Sequence, residues 1–207
     1  AMTRGEAIRS IETGIEIANE KAKQGYKVFT IGEMGISNTT SSACILGTFN
    51  HWNAVEVTGR GTNISDERLM HKIEVVQKAL DVNHPDPNDG LDVLAKVGGF
   101  EFGCLTGVIL GAAANHALTI IDGFNTTASA FIAKALNPEV AHYLMASHLS
   151  LEQAHKKSLA ALGLTEYIDL DFRLGESIGA GIQKKMLDMA LSVYKECATK
   201  EEAGVKA

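Results

Sequence analysis

Two glutamates in matching surroundings are the first residues of this sequence that can do chemistry. Glu33 stands in "GEMG" and Glu176 in "GESIGAG". Each follows a glycine, each has another glycine close behind, and each comes after a short apolar run. A carboxylate at the end of a buried strand is costly unless it is paired or put to use. Two carboxylates facing one cleft can divide labour, one taking a proton and the other orienting a ligand. The plainer alternative is that each accepts backbone N–H bonds and fixes its own loop. Spacing alone leaves both readings open.

Around them lie glycine turns: "GEMG", "TGRGT", "DGF" and "GESIGAG". Glycines there let backbone N–H groups approach a ligand, and a helix start behind each can favour an anion. None has the Walker spacing, and none gives GxGxxG with an acidic residue at the dinucleotide distance. Lys72 lies one turn after Arg68 on a helix-patterned stretch. It is either a solvated lysine or a phosphate contact beside the "GRGT" turn. The seven histidines show no metal-ligand spacing, and the absence of GxSxG argues against a serine hydrolase. Cys44, Cys104 and Cys197 are widely spaced and read as buried, reduced thiols rather than a zinc set. No metal site and no cofactor is expected.

Periodicity predicts the elements that hold these residues. Residues 4–24 read as an amphipathic helix with a Thr3–Glu6 capping box and Gly25 at its end. "KVFTI" (27–31) reads as a buried strand, followed by a helix from Ser37 or Asn38 to Leu46. "HWNAVEVTGRGTN" (51–63) reads as an extended piece and a glycine turn, 65–80 as a helix, and 83–90 as a loop. Two helices follow; the second carries Gly103, Gly107 and Gly111 at four-residue spacing, a flat face for close packing. Then one grammar repeats. "ALTIID" (117–122), "AHYLMAS" (141–147) and "EYIDL" (166–170) read as strands. Their helices run to Leu136, over 150–162, and to the C-terminal end.

Strand, glycine or polar turn, then helix predicts an α/β chain, a mostly parallel sheet flanked by helices in a Rossmann-like three-layer arrangement. Such sheets bind ligands outside the carboxyl ends of their strands. The polar residues there are Glu33, Asp122, Ser147, His148, Ser150, Arg173 and Glu176, and folding should gather them at one edge. No linker or repeat divides residues 1–207, so one catalytic domain is expected. With 207 residues and 45% apolar residues the chain can bury a substantial core. A net charge of -6 without a basic run argues against general nucleic-acid binding. No uninterrupted apolar stretch is long enough for a membrane span, and residues 1–24 lack the pattern of a signal peptide. A cytoplasmic protein is expected.

Six segments occur in one order: "GEMGISNTTSSA", "GRGTNISDERLMHK", "VGGFEFGCLTGVILGAAA", "IDGFNTTASA", "SHLSLEQAHK" and "DFRLGESIGAG". Together they resemble the nicotinate-nucleotide:dimethylbenzimidazole phosphoribosyltransferase family, and the resemblance covers the whole chain. It implies transfer of the 5-phosphoribosyl group from nicotinate mononucleotide to a benzimidazole, with inversion at the anomeric carbon, to give an α-ribazole phosphate. It implies that Glu176 is the catalytic base and Glu33 the second carboxylate near the acceptor. Met34, Gly35, Gly61, Lys72, Gly123, Ser150 and Leu174 fall on positions that line the substrate site in the family. The family also implies a homodimer. Ser37, Ser177 and Ile178 depart from the commoner "GIGNTT" and "GEGTGA" patterns and are expected to tune the choice of acceptor. The family protein is longer at its amino end, so the chain is expected to be its C-terminal portion, active or only nucleotide-binding.

Overall fold

The computed structural model describes residues 1–172 and 174–204. The chain opens with α1 (Arg4–Lys23), whose Thr3 and Glu6 side chains cap each other's backbone N–H groups. β1 (Val28–Ile31) leads into α2 (Asn38–Asn50). A one-turn helix, α3 (Ala54–Val57), precedes α4 (Asp66–Asn83) and α5 (Gly90–Val97). α6 (Phe100–Ala114), β2 (Leu118–Ile121) and α7 (Phe124–Leu136) follow. A 3-10 segment, Pro138–Tyr143, leads to β3 (Leu144–Ala146) and β4 (His148–Ser150). The last elements are α8 (His155–Leu162), β5 (Ile168–Phe172) and α9 (Ile178–Glu196).

The strands are parallel, as the repeated grammar requires. They form a three-stranded sheet in the order β1-β2-β3 and a two-stranded sheet of β4 and β5. Register brings Ile31, Ile121 and Ala146 level with one another. The residues that follow them, Gly32–Glu33, Asp122–Gly123 and Ser147, therefore leave the sheet at one edge. The Ser147 carbonyl accepts N–H bonds from Tyr167 and Ile168, which ties the second sheet to the first. α9 packs on β1 and β2, while α6 and α7 contact β2.

Four local readings change. Residues 54–57 are helical, because Asn53 and Glu56 form a capping box of their own. The strand expected from 141 starts at 144, after Pro138 opens the 3-10 turn. The helix expected from 150 starts at 155, since 148–150 pair as β4 with β5. The strand expected at 166–170 lies at 168–172. Among the thiols, Cys44 is buried but Cys197 is exposed. No helix of the described residues is long and apolar enough to cross a membrane.

The core joins α1, α2, α5, α6 and α7 with the inner strands. Its tightest seam is between α1 and α6. A Cβ on Gly107 would overlap the Ile11 carbonyl, and one on Gly14 the Cys104 carbonyl. The four-residue glycine spacing on α6 thus lets two helix backbones touch.

Candidate functional site

Past the carboxyl ends of the strands opens a cavity of about 1060 Å³. Its wall is built from the turns after β1, β2, β4 and β5 together with the 59–64 turn and the first turns of α4. Glu33, Met34, Gly35, Gly61, Lys72, Gly123, Ser150 and Leu174 all line it. Of the other strand-end residues, Asp122 lines it, while Ser147 and His148 are buried. Arg173 lies outside the described residues.

Glu33 is half-buried at one end. The Asn125 amide donates to its Oε1 at 2.6 Å, and the Asn38 amide donates to its Oε2. The same Asn125 nitrogen donates to Asn38 Oδ1 at 2.9 Å, and Ser42 Oγ donates to Asn125 Oδ1 at 2.6 Å. Asn38 opens α2 and Asn125 lies in the first turn of α7, so two helix N-termini face the carboxylate. Burial raises its affinity for a proton, and the two amides oppose that rise.

Lys72 marks another region of the wall. Its ammonium donates to Thr39 Oγ1 at 2.9 Å and to the Gly59 carbonyl at 3.0 Å. Burial pushes its pKa down, and the nearby Glu152 carboxylate pulls it up. Glu152 is itself raised by burial, and one of its oxygens has no hydrogen-bond partner. Gly61, with φ of +56°, turns the chain beside Thr39 and Lys72. A phosphate entering here would meet a cation, a threonine hydroxyl and the backbone of the Gly61 turn.

Glu176 is placed differently. It sits in a left-handed turn with Ser177, at φ of 61° and 66°. That turn presses on the end of β1 so closely that a Cβ on Gly32 would overlap the Ser177 nitrogen. Asp122 holds it from the other side. Its carboxylate accepts the Ala180 N–H at 2.9 Å and the Ser177 N–H at 3.2 Å. The Glu176 side chain is exposed and is not among the residues that line the cavity, although Leu174 and Gly175 beside it are. The two glutamates thus meet through their turns, with Glu33 inside the wall and Glu176 outside it.

Under the cavity lies a buried polar layer. His148 Nδ1 is 3.7 Å from Asp122 and 3.0 Å from Ser147 Oγ, while Ser147 donates to the Asp122 carbonyl at 2.9 Å. His155 accepts the Ser150 N–H on Nδ1 at 2.9 Å and contacts Thr127 Oγ1 through Nε2 at 3.1 Å. Burial pushes the His155 imidazole down to about 3, so it is neutral. Burial lowers His148 as well, against the pull of Asp122. Among the described residues, no cluster of three or more His, Cys, Asp or Glu side chains is placed to hold a metal ion.

Sequence reasoning missed Asn38, Asn125, Ser42, Glu152 and His155. One signal was available: the triplet Asn-Thr-Thr follows both β1 and β2, at 38–40 and 125–127. Twin triplets on adjacent parallel strands open adjacent helices and place their asparagines side by side.

Comparison with known proteins adds the remaining observations. Residues 1–205 match a protein family described as phosphoribosyltransferase. A curated relative from Syntrophotalea carbinolica, named nicotinate-nucleotide–dimethylbenzimidazole phosphoribosyltransferase, is 51% identical over 99% of this chain and 58% of its own length. One of the same name from Clostridioides difficile is 46% identical over 98% of this chain and 58% of its own length. Among solved structures, CobT from Thermus thermophilus superposes with a TM-score of 0.93 at 37% identity, covering 100% of this chain and 61% of that one. The chain spans about 58% of the length of these curated relatives.

Proposed function

The chain belongs to the phosphoribosyltransferase family, and we propose that its cavity binds nicotinate mononucleotide and a benzimidazole-type acceptor and supports phosphoribosyl transfer between them. The products are nicotinate and α-ribazole 5'-phosphate, the lower-ligand precursor of cobalamin. The observation that carries this reading is the polar wall of one cavity. It holds a lysine beside the 59–61 glycine turn and a carboxylate between two helix N-termini, partners for a phosphate and for a donor-bearing ring.

In this reading Lys72, Thr39 and the Gly61 turn receive the 5'-phosphate. Gly35 lies against the Asn38 side chain and Gly123 beside His148 in the wall, and Ser150 contributes a hydroxyl. Met34 and Leu174, 74% and 62% exposed, offer apolar surface to the rings. The C1'–N bond to the pyridinium breaks, and its electron pair neutralises the ring nitrogen of the leaving nicotinate. The acceptor's unprotonated ring nitrogen forms the new bond from the opposite face; the N–H of its other nitrogen, held at the Glu33 end on binding, must then give up its proton, and the reading assigns the base that receives it as Glu176. General-base help of this kind is worth about 10²–10⁴ in rate, roughly 3–5 kcal/mol of barrier. Alignment of the two bound rings supplies more. The reading includes a cytoplasmic homodimer, to which the exposed apolar side chains of α9, such as Met189 and Val193, would contribute.

A second reading is favoured by the position of Glu176. With that carboxylate outside the cavity wall, the chain by itself binds nucleotide and turns it over poorly. Calorimetry with nicotinate mononucleotide, followed by product detection with dimethylbenzimidazole, separates the two. In an active protein, Glu176→Gln keeps nucleotide affinity and lowers turnover by about two to four decades. An unchanged rate removes Glu176 as the base.

A further inference from the structure

The hydrogen bonds around Glu33 leave no freedom of assignment. A side-chain amide has two N–H donors and one carbonyl acceptor. Asn125 directs its donors to Glu33 Oε1 and Asn38 Oδ1, and its carbonyl accepts the Ser42 hydroxyl. Asn38 accepts on its oxygen and returns its own N–H to Glu33 Oε2. Turning either amide over would set a carbonyl oxygen against the carboxylate. Ser42 is buried behind the pair and completes the network from the core side.

Such a ring pulls towards one form of the carboxyl group, although burial leaves its pKa raised on balance. Each carboxylate oxygen receives an N–H, which favours the ionised form. The α2 and α7 N-termini favour the same form. Against it stand burial and two like charges, Glu101 on α6 and Asp122 after β2. An ionised carboxylate is an acceptor only. Whatever docks against Glu33 must bring an N–H or O–H.

We propose that Asn125 is a positioning residue for Glu33. With Asn38 it holds the carboxylate ionised and acceptor-only, so that this end of the cavity takes a heterocycle through a ring N–H. The identity of that ligand rests on the phosphoribosyltransferase reading; the effect of Asn125 on Glu33 does not. Removing the amide withdraws a donor and leaves burial to act. Replacing it with aspartate sets a second carboxylate within hydrogen-bond reach, and two such groups share one proton.

The test is a carbon-13 titration of the glutamate carboxyls in the wild-type chain, in Asn125→Ala and in Asn125→Asp. Loss of its signal in Glu33→Gln identifies Glu33. Thermal unfolding and an amide spectrum establish that each variant folds. The midpoint of Glu33 is expected to rise in Asn125→Ala and to rise further in Asn125→Asp. A midpoint that stays put in both folded variants overturns the proposal. Calorimetry with benzimidazole and 1-methylbenzimidazole adds the ligand arm. Wild type is expected to bind benzimidazole roughly tenfold or more tightly over the methylated ring, the worth of one hydrogen bond to a charged group. Asn125→Ala is expected to lose that preference as pH falls. Equal binding of the two rings by wild type overturns the ring N–H claim. If the midpoint moves as expected but wild type binds neither ring, the positioning role stands and the functional reading fails.

Discussion

The α1–α6 seam and the cavity edge use the same residue for opposite ends. In the seam, Gly14 and Gly107 bring backbones so close that nothing else fits between them, and Gly103 makes room for the Ser10 side chain. At the edge, Gly61 and Gly123 line the cavity that Lys72, Ser150 and Glu33 share, and a Cβ on either would meet side chains, Thr39 and Lys72 or His148 and Ser150, instead of backbone. The helices differ in a similar sense, α6 apart. α1, α3, α4 and α5 start with a side chain accepting their first N–H groups, whereas α2 and α7 start at the edge with none; α9 starts there on the Asp122 carboxylate. One region keeps its hydrogen bonds internal; the other holds donors ready for a ligand. Stability and binding should therefore respond to different substitutions.

The sharpest way to separate the regions is acid. The seam has no buried ionisable group to protonate, but His155 lies beneath the cavity, neutral and buried, with its pKa pushed down to about 3. An unfolded histidine titrates near 6.5, so the unfolded chain takes up its proton first. The contribution from neutral His155 is whole above pH 6.5 and is lost as pH falls from there towards 3. A shift of that size is worth on the order of 5 kcal/mol. Wild type minus His155→Gln, compared by denaturant unfolding across that range, should show the difference shrink as pH falls. A constant difference would put the protonation elsewhere.

Gly107→Ala attacks the other region. Its methyl group would overlap the Ile11 carbonyl, so α1 and α6 must part along their length. Overpacking of this kind costs about 3 kcal/mol at the upper end of the usual range. In a chain of this size that corresponds to roughly 6–12 °C in Tm. Calorimetry of nucleotide binding to the folded fraction should show little change. A variant that keeps its Tm would mean the seam is looser than its contacts imply.

What could be read from sequence followed the same division. Apolar steps of three and four residues reveal α1 and α4, and the glycine-spaced face of α6 is legible because close packing has few substitutes for glycine. The strand-glycine-helix grammar gives parallel strands and the edge where Glu33 emerges. Residues 51–63 misled because Val55 and Val57 suggest an extended run, while the Asn53–Glu56 capping box decides the matter locally. The β3–β4 boundary was hidden by buried His148, which reads as a surface or site residue. The Glu33–Asn125 contact joins residues 92 positions apart. No local pattern carries it except the repeated Asn-Thr-Thr, whose meaning appears once β1 and β2 are known to be neighbours.

On the cavity side, Lys72→Ala removes the ammonium placed beside the Gly61 turn. A charge-assisted hydrogen bond to phosphate contributes about 2 kcal/mol, so nicotinate mononucleotide should bind roughly tenfold or more weakly. Nicotinate riboside, which lacks the phosphate, should bind wild type and variant alike. Equal weakening of both ligands would make Lys72 a support for Thr39 and the Gly59 carbonyl instead of a phosphate contact.

Thr3→Ala should produce the smallest effect. The Thr3 hydroxyl accepts the Glu6 N–H at 3.2 Å, and the Glu6 carboxylate accepts the Thr3 N–H at 2.7 Å. Losing such a cap costs about 1 kcal/mol, read as a fall of a few degrees in Tm. Because α1 meets the cavity only through the core, nucleotide affinity should stay where it is. Here the two regions part most clearly. A capped helix start that is opened loses stability and gains no ligand, because it lacks what surrounds α2 and α7: a cavity, a neighbouring lysine and partners that orient a carboxylate. If Thr3→Ala weakened nucleotide binding as much as Lys72→Ala does, the seam and the edge would be one coupled unit, and the contrast between their glycines would be one of appearance alone.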